Sequence, residues 1–260
     1  LFYIIVCIIN NADNNIKQKY SCDISFIGST YQEKCPYNQC SLPDYERGLA
    51  DGIIEAQLKV YGYNFIEEII TDEFVDCFIK CNPDMYKFPD KYDKNYKAVI
   101  AQQYLSVKTA EQERIRALTM LSKNFNVDLY TGSDTTAMPH IHNKGFAKTH
   151  TEMPIIFNQS KINLNITAKS IRTGLPLRIF DVLGCGGFLI TNYQAELPQY
   201  FDIGTELVAY DSFEDLKEKC NYYLSHEDER KQIALNGYNK VQQLHTFDKR
   251  LVEILEAVFG

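Results

Sequence analysis

The residues best able to do chemistry fall between Ser160 and Asn192, in SKINLNITAKSIRTGLPLRIFDVLGCGGFLITN. Lys161, Lys169, Arg172 and Arg178 are the cations of that stretch, and Asp181 is its one acid. Cations gathered among small polar residues suit a bound anion, which they stabilise together with backbone N–H groups. Arg178 stands where a helix begins, so its charge opposes the helix dipole. An anionic partner explains that position; a solvated arginine explains it equally on local grounds. Two further places offer main chain to a ligand: Gly28-Ser29 after DISFI, and Gly132-Ser133 after VDLYT. A glycine following a strand admits close approach, and the N–H groups of such turns can hold a phosphate. A plain strand-to-loop turn fits these residues as well.

A strand, a loop and a helix must position these groups. Ile162, Leu164 and Ile166 alternate with Asn163 and Asn165, the period of a strand, with the two asparagines on one face. Gly174 and Pro176 mark a loop, and Pro176 suits the first helical position. Leu177, Ile179, Phe180 and Leu183 give a helix an apolar face, Gly184, Gly186 and Gly187 end it, and Phe188-Leu189-Ile190 reads as a buried strand. A polar loop between a strand and its following helix is the geometry of an α/β ligand crevice.

The rest of the chain repeats that grammar. Strands are predicted at Asp23–Ile27, Asn126–Tyr130 and Leu207–Tyr210. Helical patterns cover 42–81, 97–122 with a break near Ser106–Thr109, 149–159, two stretches started by Ser212 and Ser225, and a tail from Phe247 to Val258. The proline-rich, charged segment 82–95 reads as a loop. Strands alternating with helices imply a parallel sheet covered on both faces, with a helical insertion at about 36–110. The apolar opening LFYIIVCII is too short to span a bilayer and lacks the flanks of a signal peptide. It reads as a buried strand or a remnant of a preceding domain, and the Asn-rich residues 10–21 read as an exposed linker.

Composition narrows the function classes. The 260 residues carry 27 basic against 34 acidic side chains, a net charge of −7, which argues against bulk nucleic-acid binding. No segment has the length and hydropathy of a membrane span. Eight cysteines permit a disulfide framework, but a core-rich chain of this size does not need one; free thiols in a reducing cytoplasm are the simpler reading. Cys35, Cys40, Cys77 and Cys81 lack zinc-site spacing, and the pair His140 and His142 has no third ligand nearby in sequence, so no metal is expected.

The run GLPLRIFDVLGCGGFLITNY, then ELPQYF, with DISFIGS, LYTGS, SKINLN and HTFDKR, resembles the donor-binding half of GT-B glycosyltransferases. More narrowly it is similar to their group 1 branch of spore-maturation, CgeB-like proteins, over most of the chain from about residue 22. That resemblance implies an α/β fold: a Rossmann-like parallel sheet with helices on both faces, the C-terminal half of a GT-B fold, spanning 22–260. Residues 1–21 would then be a linker or the remnant of a separate N-terminal domain that binds the acceptor. It implies a bacterial, cytoplasmic enzyme that transfers a sugar from a nucleotide diphosphate sugar to a cell-surface, spore or protein acceptor, carbohydrate or glycoprotein, without a cofactor. By resemblance, Gly28, Ser29, Gly132, Ser133, Ser160, Lys161, Asn165 and Arg178 line the donor site, and Asp181 takes the place of a glutamate that binds the nucleotide ribose. The family's other glutamate, eight residues earlier, is here Thr173. No catalytic acid or base stands out, and retention or inversion is left open. A nucleotide-sugar 2-epimerase of the same fold and a non-catalytic nucleotide-binding module are the competing readings.

Overall fold

The computed structural model describes residues 2–85 and 95–259. Two helices open the chain, α1 (Phe2–Asn11) and α2 (Asn14–Lys19), followed by strand β1 (Cys22–Ile27). Short 3-10 turns lead to α3 (Asp44–Leu58), α4 (Ile66–Ile69), α5 (Asp72–Cys81) and α6 (Tyr96–Val99); a π-helical stretch, Ile100–Leu105, continues directly into α7 (Ser106–Ser122). Then come β2 (Val127–Tyr130), β3 (His142–Asn143), α8 (Met153–Gln159), β4 (Ser160–Asn165), α9 (Leu177–Gly184), β5 (Leu189–Asn192), α10 (Leu197–Tyr200) and β6 (Val208–Tyr210). Helices α11 (Phe213–Ser225), α12 (Glu227–Leu244) and α13 (Phe247–Phe259) complete it.

The six strands form one parallel sheet in the order β3-β2-β1-β4-β5-β6. This is the doubly wound Rossmann order, in which the chain reverses direction across the sheet between β1 and β4. One face buries Ile24, Phe26, Ile162, Leu164 and Ile190 against Leu118 and Leu121 of α7 and Leu216 and Cys220 of α11. The other packs Leu189 and Ala209 on Phe157 of α8, Ile179, Val182 and Leu183 of α9, and Val241 of α12. Asn163 points away from the Ile162–Leu164 face: its Nδ2 donates to the carbonyls of Phe157 and Phe188, and its Oδ1 accepts from Ser25 Oγ at 3.0 Å. The polar half of the alternation is thus buried and paired, as buried amides must be. Gly187 is fixed by this packing, since a Cβ there would stand 2.5 Å from the Phe157 carbonyl oxygen.

The insertion between β1 and α7 has its own core: Ile53, Ile54, Ile66, Ile70, Phe74, Phe78, Ile100 and Leu105 are buried together. At roughly 1.5–3 kcal/mol for each buried side chain, that core outweighs any single polar contact to the sheet, and the polar contacts set position. The predicted break near Ser106–Thr109 is absent, because the π-helical turn carries the helix through. Residues 2–19 depart from expectation more strongly. They form two helices broken at Ala12-Asp13, and Ala12 and Tyr20 pack on Ile155 and Ile156 of α8 and on Tyr130. A short apolar run with no clear period fits a helix as well as a strand. Ser212 caps α11, its Oγ accepting from the Asp215 amide at 3.1 Å, whereas α12 starts at His226 without a side-chain cap. Most of the loop expected over 82–95 lies outside the described residues. No helix among the described residues is long and apolar enough to cross a membrane.

Candidate functional site

Because all strands are parallel, their carboxyl ends share one edge of the sheet. The crevice between β1 and β4 on that edge is where this topology binds ligands. Gly28 and Ser29 follow β1 there, Gly132 and Ser133 follow β2, and Asn165 ends β4. The two turns are joined to each other, while the Asn165 side chain is turned to Thr167 and to Thr191 of β5. Ser160 and Lys161 are the first residues of β4 and lie at the opposite edge. Ser160 Oγ donates to the Ile156 carbonyl at 2.7 Å, and Lys161 Nζ pairs with Asp23 at 2.8 Å. Both therefore stand a strand's length from the crevice and serve the sheet's amino end.

The turns at the crevice are linked by Glu33, which the sequence reading did not single out. Its Oε1 accepts from Ser29 Oγ at 2.8 Å and from Ser133 Oγ at 3.0 Å; Ser133 Oγ in turn accepts from the Thr30 amide. Partial burial pushes the Glu33 carboxyl up, but its own amide and the two hydroxyls outweigh this and hold it below the usual carboxylate range. A negative charge thus occupies the hydroxyls that an anionic ligand would use. Beside them the exposed ring of Phe146 lies over Gly132, close enough that a Cβ at 132 would meet its Cζ at 2.1 Å.

Arg114 of α7 ties the two sides of the crevice. Its Nε and Nη2 donate to the Ile166 carbonyl at 3.2 and 2.6 Å, and its Nη1 to the Ser29 carbonyl at 2.6 Å. The guanidinium stacks 4.3 Å from the ring centroid of Tyr31, a residue held at φ 70°, the left-handed region that favours glycine. Burial lowers the Arg114 pKa, and the neighbouring Glu113 carboxylate opposes that.

The other predicted cations are engaged. Lys169 Nζ donates to the carbonyls of Gln57, Leu58 and Val60, each at 3.0 Å, and lies 3.8 Å from the Tyr61 ring centroid. It caps the negative end of α3, where a cation is stabilising. Asn64 Nδ2 completes the joint by donating to the Lys169 carbonyl at 2.9 Å. Arg172 pairs with Glu67 at 2.8 Å. Arg178, in the first turn of α9, lies over the Phe157 ring at 5.1 Å and 3.8 Å from Asp181. Burial disfavours the charge on both members of that pair, lowering the Arg178 pKa and raising that of Asp181, while each charge supports the other.

Where the insertion meets the ends of β4 and β5 there is a cleft of about 260 Å³, lined by Thr167–Lys169, Ile171, Arg172, Asn192–Ala195, Gly62–Asn64 and the carboxylate of Glu68. Its back wall is a side-chain clamp. Asn192 Oδ1 accepts from the Thr167 amide and its Nδ2 donates to the Thr167 carbonyl, both at 2.8 Å. Asn165 Nδ2 donates to Thr167 Oγ1 and Thr191 Oγ1, both at 2.9 Å. Among the described residues no cluster of three His, Cys, Asp or Glu could hold a metal ion, and the cysteines are free thiols.

A parallel doubly wound sheet with polar turns at its switch point describes a large class of nucleotide-binding proteins. This chain belongs to the glycosyl transferase-like family, whose model matches residues 109–256. It is 25% identical over 147 residues to spore protein CgeB of Bacillus subtilis (strain 168), a match covering 56% of this chain and 40% of that protein. The chain thus spans less than half the length of that curated relative. It also aligns with the crystal structure of the pneumococcal O-GlcNAc transferase GtfA in complex with UDP and GlcNAc. There the identity is 17%, the coverage 56% of this chain and 32% of that one, and the TM-score 0.39, too low to show a shared fold.

Proposed function

We propose that this chain is the donor-binding domain of a GT-B glycosyltransferase that takes a nucleotide diphosphate sugar at the carboxyl edge of its sheet. Family membership supports the class. The observation that carries the site is the coincidence, at the β1/β4 switch point, of the Gly28-Ser29 and Gly132-Ser133 turns with Asn165. In this reading Asp181 accepts hydrogen bonds from the ribose hydroxyls, as a carboxylate can. Arg178 meets the diphosphate, which gathers negative charge as its bond to the anomeric carbon breaks. Ser160 and Lys161 have no part, because they lie at the other edge. The acceptor is a carbohydrate or glycoprotein, bound by a separate domain, and the enzyme works in the cytoplasm.

Thermal unfolding against nucleoside diphosphates and their sugars tests this. A ligand at a hundredfold over its dissociation constant adds about 2.7 kcal/mol to stability. A shift selective for one base is expected. A folded chain, and a longer form carrying its preceding domain, both indifferent to every nucleotide would refute the reading. Sugar transfer by that longer form separates a transferase from an epimerase, which converts the donor without acceptor.

A further inference from the structure

Glu113 of α7 is a carboxylic acid with no exposed surface, directly behind the cleft. Its Oε1 accepts from Asn192 Nδ2 at 3.4 Å, the same amide nitrogen that donates to the Thr167 carbonyl. Glu113 therefore adds a third contact to the side chain that clamps the cleft's back wall. The charged and titratable groups facing it come from every element around it. They are Lys169 from the loop after β4, Arg114 from its own helix, Tyr61 from the segment after α3 and Tyr210 from the end of β6. Asp211 and Glu214 act on Tyr61 from beyond. Lys169 spends its three N–H groups on the carbonyls of Gln57, Leu58 and Val60, so its charge has no carboxylate hydrogen-bonded to it, and Glu113 is its electrostatic counterweight.

We propose that Glu113 is a positioning residue of the cleft: acting through Asn192 and Lys169, its charge state sets how readily the cleft accepts an anionic ligand. The inference rests on the donor reading for the identity of that ligand, the cleft adjoining that site through Asn165, whose amide bonds Thr167 of the cleft wall at 2.9 Å; the titration itself does not rest on it. Burial pushes the carboxyl up to about 7, against the pull of Lys169 and Arg114 and the contacts with Asn192 and Tyr61. Ionised, it neutralises the two cations and repels an anion in front of Asn192. Protonated, it keeps the Asn192 contact and leaves the field of Lys169 and Arg114 to the ligand. In a low-dielectric interior such a charge acts through one intervening side chain.

The experiment uses the full chain. Backbone amide shifts of Thr167, Ala168, Lys169 and Asn192, and the Glu113 carboxyl carbon, are followed by NMR from pH 5.5 to 8.5 in the wild type and in Glu113→Gln, which keeps the shape and the acceptor oxygen. A shared midpoint near 7 in the wild type, lost in the variant, is expected. Amides that do not titrate, or that titrate alike in the variant, overturn the proposal, and the wild-type carboxyl signal decides even if the variant does not fold. In parallel, affinities for uridine, guanosine and adenosine diphosphate sugars, whose phosphates do not titrate in this range, are measured by calorimetry. Wild-type affinity should rise roughly three- to tenfold as pH falls through 7, and Glu113→Gln should stay at the acid value, a tenfold change matching a one-unit coupling between proton and ligand. Titrating amides with an affinity that does not change with pH would overturn the coupling to the ligand, whereas no nucleotide sugar bound at any pH, with sulfate binding that still strengthens as pH falls through 7, would remove the donor reading alone.

Discussion

Asn192 and Thr167 are joined as though the sheet continued past its last strand residues: one side-chain amide satisfies both the N–H and the C=O of Thr167, each at 2.8 Å. Asn192 is buried, so Asn192→Ala leaves a backbone donor and acceptor unpaired in the interior, at about 1–3 kcal/mol for each orphaned group. Urea unfolding should show a loss of at least about 2 kcal/mol, and Asn192→Asp should cost more at pH 8 than at pH 5, because it sets a second carboxylate beside Glu113. A neutral Asn192→Ala would mean that the clamp does not form.

Glu113 also governs stability against pH. Its folded pKa of about 7 lies above the ordinary 4.5 of the group, so the folded state holds a proton that the unfolded chain has released across that window. Its contribution to stability is therefore fullest below about 4.5, declines as pH rises to 7, and is constant above. Glu113→Gln removes this slope and should gain up to roughly 3 kcal/mol relative to the wild type on going from pH 4.5 to 8. Chemical denaturation at a series of pH values measures it; parallel curves for the two proteins would show that Glu113 is ionised normally in the fold.

Five of the sheet's six strands were legible because they carry their own signal; the two-residue β3, His142–Asn143, is too short to show a period and was missed. Ile162, Leu164 and Ile166 announce a period of two whichever elements surround them. Direction along the strand was not used: the resemblance put Ser160, Lys161 and Asn165 in one site, whereas in a parallel strand entered at Ser160 only the last residues reach the ligand edge, so the structure leaves Ser160 and Lys161 at the other end. The clasp of Lys169 on α3 was hidden, since its three acceptors are backbone carbonyls over a hundred residues away that no side-chain pattern marks. Arg114 was hidden for the same reason. Its spacing on α7 is that of an ordinary helix surface, and only the fold delivers it to the ends of β1 and β4. Glu33 follows the first turn by four residues and could have been found by asking what the Ser29 hydroxyl donates to.

Glu33 competes with an anionic ligand for the hydroxyls of Ser29 and Ser133. Glu33→Gln keeps an acceptor in place and removes the charge, so affinity for a nucleoside diphosphate should rise several-fold at low ionic strength, the gain shrinking as salt screens it. Calorimetric titration at two salt concentrations reads this directly. An unchanged or weaker affinity at low salt would place the phosphates away from these turns.

Arg178 and Asp181 are assigned different parts of one ligand, which gives each its own test. If Arg178 meets the diphosphate, Arg178→Met should leave nucleoside binding intact and abolish the gain from adding two phosphates. That gain corresponds to roughly tenfold or more for a charge-assisted hydrogen bond of about 1.5–3 kcal/mol. If Asp181 holds the ribose, Asp181→Ala should weaken ribonucleotide binding and erase the preference over 2′-deoxyribonucleotides, while phosphate dependence persists. The ion pair between them is half-buried at 3.8 Å, so each single variant also leaves the partner's charge less supported. The double variant controls for that: losses from phosphate and ribose contacts should add, whereas losses from breaking the pair would not. Variants that weaken every ligand equally, nucleoside included, would assign the pair to the packing of α9 on α8 and take both residues out of the donor site.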